Sequence, residues 1–194
     1  MYIRKKLNLT CLIIFALCLT LISCASTQVR TYEEELTTWT SYKDVENWMD
    51  KYFTYDIPKY KKAIAKYAAG KPLAVPIKTP QETFQDRSGL CFDAAYFAQK
   101  TLNSINPSYE AEIVFIERRP YFKANHVVCS FNNDGELYIM DYGVPKKTNR
   151  RGVFGPFASL DQYAEFHIRQ HPELNRIKSI SFGWPDWYKV RVPE

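Results

Sequence analysis

Three residues of this chain have the types and the placement for thiol chemistry: Cys91, His126 and Asp141. The cysteine follows Ser88-Gly89-Leu90 and opens an apolar pattern at Cys91, Ala94, Ala95, Ala98, Leu102 and Ile105. That spacing predicts one face of a 3.6-residue helix beginning at the cysteine. Gly89 lets the backbone turn and approach closely just before it. A thiol at a helix N-terminus sits at the positive end of the macrodipole, which favours the nucleophilic thiolate. Asp93 lies roughly 200° around the helix from Cys91, so it points away and complements the dipole. A cysteine that only packs a helix onto a sheet gives the same local pattern, so Cys91 needs partners to be read as a nucleophile.

The partners come from a hairpin. Asn132-Asn133-Asp134-Gly135 is a turn sequence of the Asp-Gly kind, between a strand over 125–131 and a returning strand over 136–141. Strand residues alternate faces. His126, Val128 and Ser130 therefore share one side, Val127, Cys129 and Phe131 the other, and Leu137, Ile139 and Asp141 one face of the return strand. Paired strands bring His126 and Asp141 onto one surface, and packing of that surface on the Cys91 helix completes a Cys–His–Asp unit. In such a unit the thiol attacks an acyl carbon and the imidazole moves its proton. The carboxylate fixes the ring's orientation and tautomer.

These segments resemble the bacterial transglutaminase-like superfamily. The resemblance is carried by Gly89-Leu90-Cys91-Phe92-Asp93, Asn125-His126-Val127-Val128 and Tyr138-Ile139-Met140-Asp141-Tyr142-Gly143, in the family's Cys, His, Asp order. Upstream, Trp48-Met49 and Phe53-Thr54-Tyr55-Asp56 also look like the segment preceding this core. Phe92 departs from the Trp or Glu of many members. The resemblance runs from about Trp39 to Gly143, extends loosely to the Ser159 helix, and implies an α+β, papain-like core with a Cys-bearing helix on an antiparallel sheet. It also implies thiol acyl chemistry on amides of a peptide or protein substrate, with catalytic Cys91, His126 and Asp141. Three activities are open: a cysteine peptidase or amidase, a protein-glutamine transglutaminase, and a non-catalytic binding module. Gln85 stands six residues before Cys91, similar to the oxyanion glutamine of papain-like enzymes; a solvent-exposed loop glutamine is the other reading.

The first residues are read as a secretory signal. Arg4, Lys5 and Lys6 precede an apolar run to Ile22, too short and too interrupted by Asn8, Thr10 and Thr20 for a membrane span. Leu21-Ile22-Ser23-Cys24 resembles the bacterial lipobox, which implies a signal peptide over 1–23, lipid on Cys24, a tether over 24–30 and a domain over 31–194. The expected place is the cell envelope, anchored to a membrane. Ser26, near the start of the mature chain, does not resemble the aspartate that retains lipoproteins in an inner membrane, which favours the outer membrane where there are two.

Composition agrees with a folded domain: 194 residues, 46% hydrophobic and 24% charged. The formal charge of +5 drops to about +2 without Arg4, Lys5 and Lys6, so nothing argues for nucleic acid. Cys11 and Cys18 fall in the signal, leaving Cys91 and Cys129 in the domain, on elements that make a disulfide between them awkward. Thr31 to Tyr55 reads as mostly helical, and Lys59 to Ala69 as a basic helix with a solvated lysine face. Gly70, Pro72, Pro76 and Pro80 mark an irregular loop. A strand is predicted over Ala111 to Ile116, a helix from Ser159 with Gln162 as capping partner, and late strands over Ser179 to Phe182 and Trp187 to Val192. His167 and His171 have a chelating spacing with no third ligand evident, so no metal is assigned. Lys146, Lys147, Arg150 and Arg151 read as a solvated basic loop, with recognition of an anionic substrate as the other reading. No cofactor motif is present.

Overall fold

The computed structural model describes residues 30–69, 76–118, 125–172 and 176–186. The readings of a signal over 1–23, lipid on Cys24, a tether over 24–30 and a strand over Trp187 to Val192 fall wholly or almost wholly outside these residues. Contacts divide the chain into Met1–Arg30 and Thr31–Glu194, and the second unit is described below.

Its first half is helical, in more pieces than the sequence suggested. Helix α1 (Tyr32–Leu36) starts at Thr31, whose side chain accepts from the Glu34 N–H while Glu34 accepts from the Thr31 N–H at 2.8 Å. It stops because the Thr37 and Thr38 hydroxyls turn back to the carbonyls of Glu34 and Glu35. Helix α2 (Tyr42–Tyr52) restarts where Asp44 takes the N–H groups of Thr40 and Ser41, both at 2.9 Å. Strand β1 (Thr54–Tyr55) follows, then α3 (Ile57–Ala68). Helix α4 (Pro80–Asp86) occupies part of the stretch read as irregular. Its signals are Thr79 at the N-cap, Pro80 in the first turn and Glu82 completing a capping box.

Strand β2 (Ser88–Gly89) pairs in parallel with β1, Tyr55 opposite Gly89, and so fixes the approach to α5 (Cys91–Ile105). A five-stranded antiparallel sheet follows: β3 (Glu112–Arg118), β4 (His126–Asn133), β5 (Glu136–Asp141), β6 (Gly152–Phe157) and, after α6 (Leu160–Gln170), β7 (Ile177–Phe182). The strand order is β6-β5-β4-β3-β7. The β4–β5 hairpin turns at Asp134 and Gly135, both at positive φ, as a tight two-residue connection requires. Strand β6 directly follows the basic stretch 146–151 and was not foreseen.

Helices cover both sheet faces. On one, Val127, Cys129, Phe131, Met140, Ile113 and Phe115 join the core built on α5. There the Trp48 ring stacks on Phe84 at 5.0 Å and on Phe97 at 4.8 Å. On the other, Val114, Ile116, Val128 and Ile139 pack with Tyr163 of α6. Burial of both faces explains why β3 reads as a continuous apolar run. The architecture is α+β, a Cys-bearing helix packed on an antiparallel sheet.

Candidate active site

The face that carries His126 and Asp141 is turned toward α6, not toward α5 as the sequence reading supposed. Val128, their neighbour in alternation, packs with Tyr163, and the His126 ring lies against His167 of α6. The histidine still reaches the cysteine because it is the first residue of β4, beyond the rim of the sheet core. In the β4–β5 register Cys129 faces Met140, which sets Asp141 opposite Val128 and Gly143 at the level of His126. The N-terminus of α5 ends at that same rim. A Cβ on Gly143 would lie 2.5 Å from the Cys91 Cβ and 2.9 Å from His126 Cε1. Gly143 thus packs directly against both Cys91 and His126.

His126 Nε2 and Asp141 Oδ2 are 2.8 Å apart, and both residues are buried, at 4% and 2% exposure. The other carboxylate oxygen, Oδ1, accepts from the Gly143 N–H at 3.1 Å. An ionised carboxylate only accepts, so His126 carries a proton on Nε2. Nδ1 is then the nitrogen left to hold a proton toward Cys91 Sγ, a partner that favours the charged ring. Burial works against a charged ring here, but the Asp141 charge, its hydrogen bond and the Cys91 partner outweigh it and raise the His126 pKa to about 9. Arg118 acts on the side of burial.

Cys91 is half-buried with a free thiol, and Cys129 is a buried free thiol. Burial pushes the Cys129 thiol far up, and its Sγ donates to the Ser130 carbonyl at 3.3 Å. Leu90 is the N-cap of α5, so the Cys91 N–H belongs to the first turn and has no partner within the helix. That group points past the helix end, where an oxyanion beside Sγ would form.

Asp93 does point away from the thiol, and what it meets there was not foreseen. It is fully buried and accepts from the Leu90 N–H at 2.8 Å, the Lys78 N–H at 2.8 Å and Lys59 Nζ at 3.0 Å. Lys59 therefore leaves the solvated lysine face assigned to it, and its ammonium also lies 5.7 Å from the Phe92 ring. A side chain at Gly89 would stand 2.5 Å from the Asp93 Cβ, so the glycine is required by a close approach. Gln85 is exposed on the last turn of α4, and its side chain makes none of the hydrogen bonds found among the described residues.

The basic stretch after Asp141 is likewise not solvated throughout. Lys146 Nζ donates to the Asp50 and Lys51 carbonyls at 2.5 and 3.1 Å. The Arg151 guanidinium donates to the Met49 and Phe53 carbonyls at 2.6 and 3.1 Å and covers the Tyr142 ring at 4.6 Å. These cations reach carbonyls in the last turn of α2 and just beyond it, where positive charge is favoured. Together with Tyr142 Oη donating to the Glu46 carbonyl at 3.2 Å, they hold the 141–143 segment against the cysteine. His167 and His171 lie near each other but face arginines: Arg118 Nη2 donates to His167, and Arg150 Nη1 donates to His171 at 3.2 Å. Among the described residues there is no group of three potential metal ligands.

Among solved structures, the chain is similar to one titled as the crystal structure of a TGase, with a TM-score of 0.37 and 15% identity over 77% of this chain. The chain spans 42% of that structure's length. It is also similar to LapG of Legionella pneumophila, with a TM-score of 0.32 and 16% identity over 74% of this chain and 98% of LapG. No curated protein matches the chain in sequence. The family model of the transglutaminase-like domain matches residues 24–151. That span takes in Cys91, His126, Asp141 and the Arg151 anchor beneath them, and the chain belongs to the transglutaminase-like domain family.

Proposed function

We propose that this protein hydrolyses amide or peptide bonds through a thioester on Cys91. The observation that carries the reading is the buried 2.8 Å contact between His126 Nε2 and Asp141 Oδ2. It leaves Nδ1 to serve Cys91. In acylation, Nδ1 holds the proton given up by the thiol, and Sγ adds as the thiolate to the substrate carbonyl carbon. The Cys91 N–H stabilises the oxyanion. When the C–N bond breaks, the imidazolium gives its proton to the leaving nitrogen. In deacylation, Nδ1 takes a proton from water, hydroxide adds to the thioester carbon, and the proton returns to Sγ as the C–S bond breaks. Asp141 holds the ring throughout and does not react.

A thiol-directed activity probe on the purified protein tests the reading, with Cys91→Ala as control. Labelling that Cys91→Ala and heat both abolish is the expected result; labelling that survives either leaves a binding module. Amine acceptors then distinguish hydrolysis from acyl transfer by the transglutaminase route. His126→Ala is expected to cost nearly as much turnover as Cys91→Ala, and Asp141→Ala less, because members of such a unit are not additive. Gln85→Ala reads out the second oxyanion donor: a fall in kcat of roughly 10²-fold assigns the side-chain amide to it. A change below a few-fold leaves the oxyanion to backbone groups.

The proposed location is the cell envelope, with lipid on Cys24. The support is the Arg4-Lys5-Lys6, apolar run and Leu21-Ile22-Ser23-Cys24 order. Cys24→Ser followed by fractionation tests it: unchanged membrane association and an unchanged N-terminal mass would remove the anchor.

A further inference from the structure

The chain has three histidines, and all three stand in one column. The His126 and His167 rings are 5.7 Å apart and nearly parallel, at 22°. The His167 and His171 rings are 4.6 Å apart. Only His126 has a place in the acyl chemistry, yet His167 is as buried as His126.

The hydrogen bonds of His167 fix its proton. Arg118, the last residue of β3, donates from Nη2 to His167 Nε2. A guanidinium has no acceptor, so Nε2 must present its lone pair. The ring proton is then on Nδ1, which donates to Tyr163 Oη at 3.2 Å. A second ring proton would face the guanidinium directly. Burial, followed by the Arg118 charge, pushes the His167 pKa far down, in agreement with that geometry.

We propose that His167 is a positioning residue for the catalytic histidine, and that the Arg118–His167 pair keeps the His126 imidazolium able to release its proton to the leaving nitrogen. The inference rests on the acyl chemistry proposed above. The groups that bear on His126 are Asp141 from β5, Cys91 from α5, Arg118 from β3, and His167 and His171 at α6; Tyr163 stands beside His167. Asp141 and Cys91 favour the charged ring, and a proton held too firmly cannot be passed on. Arg118 is the cation that opposes them. His171, pushed down to about 4 by burial and then by Arg118, presents a neutral ring near neutral pH. His167 fills the space between Arg118 and His126 with an uncharged ring of fixed tautomer. It gives Arg118 a buried acceptor and gives His126 a flat wall. This keeps the guanidinium beside the site with no carboxylate of the triad diverted to it.

The test uses the full chain with ¹⁵N-histidine, which reports three imidazoles. In the wild type, His167 is expected as the neutral Nδ1–H tautomer from pH 5 to 9. Titration of His167 near its ordinary 6.5 would overturn the proposal whether or not any variant folds. Arg118→Gln removes the charge and keeps an N–H donor. It is expected to raise the His126 midpoint by about half a pH unit or more. It is also expected to lower kcat/KM for an amide about tenfold relative to an activated ester, whose leaving group needs no proton. Arg118→Lys is expected to restore much of that ratio. An unchanged amide-to-ester ratio in folded Arg118→Gln counts against the proposal. If the wild type cleaves neither substrate, the acyl reading fails, while the histidine titrations still decide the role of Arg118.

Discussion

Gly143 and Cys91 meet with no space for a side chain between them. A Cβ on Gly143 would sit 2.5 Å from the Cys91 Cβ and 2.7 Å from its Cα. These are backbone-anchored atoms at the head of α5, so they cannot swing aside as a long side chain would. Gly143→Ala is therefore expected to push the 141–143 segment off the cysteine and separate His126 from Sγ. Activity should fall by at least 10²-fold, since a shift on the order of 1 Å can have that effect. Near-native activity in Gly143→Ala would show that the segment does not need this contact.

Asp93 secures the turn into α5 from beneath. Asp93→Ala leaves two backbone N–H groups and the Lys59 ammonium without their acceptor. The expected loss is about 3 kcal/mol of unfolding free energy, in the range for breaking a buried pair. Lys59→Met should cost less, because the ammonium is partly exposed. Urea denaturation of the two variants measures both. A loss below about 1 kcal/mol for Asp93→Ala would remove Asp93 as an anchor.

The two domain thiols differ in access. Cys91 is half-buried at the rim, whereas Cys129 is buried in the α5 face of the sheet beside Phe131 and Met140. Iodoacetamide is expected to modify Cys91 in the native protein and to reach Cys129 only after unfolding. Peptide mass spectrometry of the unreduced protein reads this directly. A linked Cys91–Cys129 peptide, or equal labelling of both, would contradict the placement.

His126 makes stability depend on pH. Its folded-state pKa is raised to about 9 from an ordinary 6.5, despite burial, by the Asp141 charge and hydrogen bond and by Cys91. The folded state therefore holds a proton that the unfolded chain releases between these values. The contribution is fully present below about pH 6.5 and is lost as pH rises through about 9. Unfolding free energy should fall over that window, and the fall should disappear in His126→Gln. An identical slope in both proteins would place the titrating group elsewhere.

Much of this was legible in the sequence. The periodicity from Cys91 to Ile105, the Asp-Gly turn and strand alternation are local properties of the chain. They fix which residues share a helix face or a sheet side, so the α5 helix and the β4–β5 hairpin could be read directly. Helix α4 is also encoded, in Thr79-Pro80-Gln81-Glu82, but the prolines around it equally mark a loop. Alternation cannot say which side of a sheet meets which helix, because both faces of this sheet are apolar and buried. Only the tertiary structure decides that His126 looks toward α6 and meets Cys91 around the rim. The partnerships of Lys59 with Asp93, Arg151 with the end of α2, and Arg118 with His167 span 34 to about 100 residues. Charge type alone marks such residues as solvated, since cations are seldom buried without a partner. The partners that bury them exist only once the chain has closed.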